Sequence, residues 1–218
     1  MTSTVVSMPS SKGGKLTHMA LAKIAPPSIL GMYAYAAAAF VISARWVRWY
    51  GDAQSAAVLF PLVLIFGGLA QFYAGTRSFR TRDAVSVAMH CTWGSFFTAF
   101  GILENLYATG RVVRPQGSFP ELGFWFIAMA AITWSITLAA RERPGMMTVA
   151  GLLASAFTLG AIAALEGSGV LQIWAGYFLM ASALVAWYVA TDLMRRFGRI
   201  EVTEQVVPKA PSESVRAA

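Results

Sequence analysis

The chain has 218 residues, 57% of them hydrophobic and only 12% charged, with a mean hydropathy of +0.58 and a formal net charge of +7. An ordinary soluble domain carries about 25% charged residues, so the composition excludes that class and predicts an all-α membrane protein. The single cysteine, Cys91, excludes a disulfide framework or a thiolate metal site, and basic residues scattered beside apolar segments argue against nucleic acid as a partner.

Residues 1–27 lack the short apolar core of a leader and are expected to form a flexible cytoplasmic tail. Spanning hydrocarbon takes about 20 apolar residues in a helix, and six segments between residues 28 and 199 meet that need. The first, Ile29–Tyr50, follows Pro26 and Pro27, with Ser28 expected to cap its free amides. That end is compatible with an anion site or with an ordinary helix start. The second, Ala53–Thr76, carries Gly68, Gln71 and Gly75 on one face and Pro61, expected to kink it.

A basic turn with Arg77, Arg80 and Arg82 leads to the third span, Ala84–Tyr107, where His90, Gly94, Phe97 and Gly101 share a stripe beside Trp93. Leu122–Ala140 and Met146–Leu165 form the fourth and fifth spans, the latter repeating Ala150, Ala154, Thr158 and Ala161. Small residues repeated along one face let helices approach closely in lipid, so the second and third spans are expected to pack tightly. The sixth span is Val170–Asp192, and residues 200–218, with Pro208 and Pro211, read as a flexible cytoplasmic tail. No internal repeat is evident.

Basic residues set the orientation. Lys12, Lys15, Lys23, Arg77, Arg80, Arg82, Arg141, Arg143, Arg195, Arg196, Arg199, Lys209 and Arg216 fall on one side, against Arg45, Arg48, Arg111 and Arg114 on the other. Both termini are therefore expected in the cytoplasm.

Ionisable groups deep in a membrane are expensive and mark pathways. The middles of these spans hold no lysine, arginine or carboxylate: Arg45, Arg48, Glu104, Glu166 and Asp192 lie near span ends, within snorkelling reach of the interface. A voltage sensor or a charged relay is thereby disfavoured. The groups left to meet a solute are neutral: Tyr33, Tyr35, Gln71, Thr92, Ser95, Thr98, Thr133, Ser155, Thr158, Ser182 and Tyr188. His90 reads first as a packing residue. The other histidine, His18, lies in the N-terminal tail, so neither haem nor metal is assigned and no cofactor is expected. With no nucleophile beside a base and no paired carboxylates on a helix face, the chain does not read as an enzyme.

Several of these motifs resemble the acetate uptake transporter family, which includes the bacterial succinate-acetate permeases. Gly67-Gly68-Leu69-Ala70-Gln71, Ala74-Gly75 and Phe79-Arg80 resemble its second-helix signature, and Trp93-Gly94-Ser95-Phe96-Phe97 its third. Ala175-Gly176-Tyr177 with Ala186-Trp187-Tyr188 resembles the last helix, and Pro27-Ser28-Ile29-Leu30-Gly31 a degraded entry motif. The likeness spans residues 24–199.

It implies a homo-oligomer, often a hexamer, in the bacterial inner membrane, with a narrow pathway for acetate and related short carboxylates through each subunit. The family's constriction falls on Tyr35, Trp93 and Ala154, and Ala186 shapes selectivity; Gln71, Thr92, Ser95 and Tyr188 are the candidate hydrogen-bonding groups along the path. The chain departs from the pattern at Ala25 or Pro26, at Ser78 and over Asp83-Ala84-Val85-Ser86. The expected function is passage of a short-chain monocarboxylate, with proton coupling as a corollary. The alternative is a non-transporting membrane assembly or sensory partner that retains the fold.

Overall fold

The computed structural model describes residues 25–206. Lys12, Lys15, Lys23, Lys209 and Arg216, and with them most of the two expected tails, lie outside the described residues.

Helix α1 (Ser28–Trp46) starts on its prolines: the Ile29 amide donates to the Pro26 carbonyl at 3.1 Å and the Gly31 amide to the Pro27 carbonyl at 3.2 Å. Ser28 is the first helical residue and makes no side-chain cap, so proline carbonyls do the work expected of its hydroxyl. Asp52 opens α2 (Ala53–Leu62) by accepting from the Ser55 amide. The chain then widens into a π-helical segment, Val63–Ala70, before resuming as α3 (Gln71–Ser78). Pro61 sits just upstream. It has no N–H to donate and its ring crowds the preceding turn, and a π turn is one way a helix absorbs such a break.

Asp83 caps α4 (Ala84–Ala108), accepting from the Ser86 amide at 3.1 Å. Pro120 and Pro144 occupy the first positions of α5 (Pro120–Ala139) and α6 (Pro144–Glu166), where the missing N–H costs nothing. Gly167 ends α6 with φ 68°, a left-handed cap open to glycine at no steric cost. The last helix, α7 (Gly169–Val206), continues beyond residue 199, so residues 200–206 are helical rather than part of a loose tail.

With α2, the π segment and α3 read as one rod, the described residues form six long helices and no strand. Five are long and apolar enough to cross a membrane. The sixth, α4, dilutes its apolar residues with Ser86, His90, Thr92, Ser95 and Glu104, and turns Trp93, Phe97 and Met89 fully inward. Helices meet in a closed ring: α1 on α7, α7 on α6, α6 on α5, α5 sparsely on α4, α4 on the second rod, and that rod back on α1.

The packing expected between the second and third spans is present. A Cβ at Gly75 would lie 2.7 Å from the Cys91 amide nitrogen, and one at Gly94 2.7 Å from that of Phe72, so each glycine marks backbone against backbone. On the Arg77 side, the guanidinium of Arg143 reaches across from the α5–α6 turn to Asp83 at 2.7 Å. Burial opposes ionisation of this carboxyl, but the Arg143 and Ser86 contacts outweigh it and hold Asp83 below the usual carboxylate range.

Candidate functional site

Tyr35 on α1 and Trp93 on α4 are both wholly buried at the centre of the ring. They meet on Phe97, with ring centroids 6.1 and 5.7 Å away. Trp93 also packs edge to face against Phe157 of α6 at 4.5 Å, one turn beyond the fully buried Ala154. Of the three residues implied as a constriction, Tyr35 and Trp93 thus share one core cluster, while Ala154 is buried on α6 near it.

Both rings anchor a polar handle. The Tyr35 hydroxyl pairs with Ser182 Oγ at 2.6 Å, and Ser182 donates to the Val149 carbonyl at 2.8 Å, so Tyr35 is the donor to Ser182. Trp93 Nε1 donates to Thr133 Oγ1 at 3.2 Å, and Thr133 donates in turn to the Met129 carbonyl. Each chain ends on a backbone carbonyl, leaving neither aromatic handle unsatisfied.

Gln71 is buried on α3 opposite His90 of α4, whose ring lies against Gly31. Gln71 Nε2 stands 3.5 Å from His90 Nδ1, at the long limit of a hydrogen bond, and Gln71 Oε1 and His90 Nε2 have no partner. Whichever way the amide and the imidazole tautomer are set, a neutral pair bonded to each other retains one donor and one acceptor.

The other expected residues are spread more widely. Ala186 is fully buried on α7 and Thr92 is half-buried. Ser95 faces outward, its hydroxyl donating to the Cys91 carbonyl at 2.8 Å, and Tyr188 is 71% exposed on the outside of the subunit. Neither side chain joins the Tyr35–Trp93 cluster. Thr98, Ser155 and Thr158 likewise spend their hydroxyls on carbonyls of their own helices.

Above the aromatic core, at the ends of α1 and α4 remote from Arg77 and Arg143, opens a vestibule of about 510 Å³. Trp46, Phe100 and Phe126 line it, and Phe96 and Phe157 join Phe126 to Trp93 below. Glu104 also lines it and, instead of reaching for the interface, is only 3% exposed. Arg45 Nη2 lies 3.4 Å from its carboxylate and Arg114 touches it directly. The predicted snorkelling of Arg45 and Glu104 is therefore replaced by an ion cluster centred on the buried Glu104. Their common depth at the same end of two antiparallel spans was the available signal.

Among the described residues no group of histidines, cysteines and carboxylates could hold a metal ion. Ring closure by six long helices, five of them apolar enough to cross a membrane, around an aromatic core and under a charged vestibule defines a polytopic integral membrane protein. Residues 10–203 match the model of the GPR1/FUN34/yaaH family, and the chain belongs to that family. The resemblance carried by the second- and third-span motifs is thus borne out. Among solved structures, the bacterial acetate channel SatP superposes with a TM-score of 0.71 at 20% identity, covering 86% of this chain and 100% of that one. Comparison with curated proteins gives no match.

Proposed function

We propose that each subunit conducts acetate or a related short-chain monocarboxylate across the membrane along the axis of the ring, squeezing past Tyr35, Trp93 and Ala154. The observation that carries this reading is the meeting of Tyr35 and Trp93 on one ring, Phe97, beneath the vestibule of a chain of this family. The solved relative of the same fold is described as an acetate channel, which supports a solute of that size and charge.

Gln71, Thr92 and Ala186 complete the pathway set; Ser95 and Tyr188, on the outside of the subunit, leave it. Below Glu104 the buried polar side chains are uncharged in their ordinary neutral forms, and an ionised carboxylate without a partner in so apolar a core costs several kcal/mol. Passage is easiest for the protonated acid, so proton coupling belongs to the reading. The charge bias of the basic turns supports an orientation with both termini in the cytoplasm and the vestibule on the outer face of a bacterial inner membrane. A homo-oligomer, a hexamer by family resemblance, completes the assignment.

Reconstituted protein tests it directly. Labelled acetate, propionate or lactate should enter protein-containing vesicles faster than empty ones, most of all at low pH. Equal rates at every pH would sink the proposal, and a reporter mapping the C-terminus outside would sink the orientation.

A further inference from the structure

We infer that the vestibule is an anion-capture site in which Arg45, assisted by Arg48, binds the carboxylate of the solute before it meets the aromatic floor. The inference rests on the reading of the pathway as one for short carboxylates, and it assigns that solute a binding site in its ionised form.

The charged side chains lining the vestibule are Arg45, Arg48, Arg114 and Glu104, three cations against one anion. Glu104 is already shared between Arg45 Nη2 and Arg114, so the positive excess has no second carboxylate in the cavity wall to balance it. Arg45 shows this at the level of an atom: its Nη1 is buried and lacks any hydrogen-bond partner. A shielded cationic donor left unpaired is costly, and an entering carboxylate oxygen removes that cost. The face of Phe60, 5.3 Å from the guanidinium carbon, steadies the group from one side.

Arg48 is a second, independent cation. It leaves the end of α1 with φ 64°, an unusual conformation for a side chain other than glycine, and its guanidinium lies against Gly169 at the start of α7, where any Cβ would collide with it. No ion pair engages it among the described residues. Beneath these groups the floor offers Trp46, Phe100 and Phe126 and no further cation. An anion drawn in by the arginines therefore stops at this depth. The vestibule concentrates the charged form, and selection by size falls to the narrower core beneath.

Titration calorimetry of the purified full-length protein with sodium acetate tests the site. Arg45→Gln is expected to weaken acetate binding about tenfold or more, the loss of one charge-assisted hydrogen bond. Arg48→Gln should weaken it several-fold. Glu104→Gln should tighten it, because the amide releases both arginines. Absence of acetate binding by the wild type, unchanged affinity in Arg45→Gln, or weakening in Arg45→Gln and Glu104→Gln alike, as a merely structural cluster would give, overturns the inference. If Arg45→Gln does not fold, Arg48→Gln decides, and undiminished affinity there overturns it. Vesicle flux separates the two readings. Binding that responds as described without acetate flux defeats the transport proposal alone, whereas flux with binding indifferent to these arginines defeats the capture site alone.

Discussion

Trp93 and Phe157 stand edge to face with ring centroids 4.5 Å apart, joining α4 to α6 across the middle of the ring although the two helices share little backbone contact. This pair closes the core directly below Phe96 and Phe126. Trp93→Ala should open it. The expected outcome is faster vesicle uptake of acids larger than acetate relative to acetate itself. Thermal unfolding in detergent should show a stability loss of about 3–5 kcal/mol, the usual cost of deleting a buried tryptophan.

Trp93→Phe separates the ring from its N–H. The aromatic contact survives, and Thr133 keeps its bond to the Met129 carbonyl. Stability should fall by about 0.5–1.5 kcal/mol, and the preference for small acids should persist. A selectivity change as large as that of Trp93→Ala would show that the N–H, rather than the bulk, governs passage.

Tyr35→Phe removes a donor to Ser182 whose own bond to Val149 remains. The same order of loss, about 0.5–1.5 kcal/mol, is expected. Because this hydroxyl ties α1 to α7, the variant should also alter acetate uptake. Unaltered uptake would remove Tyr35 from the pathway set.

Gly94→Ala tests the seam between α3 and α4. The added Cβ would fall 2.7 Å from the Phe72 amide nitrogen, a backbone atom that cannot rotate aside. Overpacking of this kind costs about 1–3 kcal/mol, so the variant should unfold at lower temperature. Gly198→Ala, with open space around it, should not.

The Asp83–Arg143 tie predicts an acid limb. Asp83 has its folded pKa depressed, burial being outweighed by Arg143 and Ser86. Its contribution is therefore fully present above the unfolded value of about 3.9 and is lost as pH falls through the folded one. The stability advantage of wild type over Asp83→Asn should hold near neutrality and shrink below about pH 4. A gap that widens on acidification would contradict the assignment.

Much of this architecture was legible in the chain. The heptad-spaced Gly68 and Gly75 and the stripe through His90, Gly94, Phe97 and Gly101 announce the close second and third spans, because backbone contact in lipid needs small residues at a fixed period. Tyr35 stood out among the neutral polar groups of the spans, but its pairing with Trp93 was reachable only through family resemblance, since burial at a common centre is a property of the ring and not of either helix. The Arg45–Glu104–Arg114 cluster was missed because a single span cannot show whether a terminal charge bends to water or to a neighbour. Tyr188 misled for a related reason: a tyrosine in an apolar run reads the same whether it points inward or out.

The thin backbone contact between α4 and α5 has a consequence for how this protein can change. Across that seam the barrier is made by Trp93 on Thr133 and by Phe96 and Phe100 on Phe126. On the proposed pathway, the bore beside it is set by the length of side chains, while the helix positions are held elsewhere around the ring. A lineage can retune what passes by exchanging one aromatic residue at this wall, leaving the glycine-sealed side untouched.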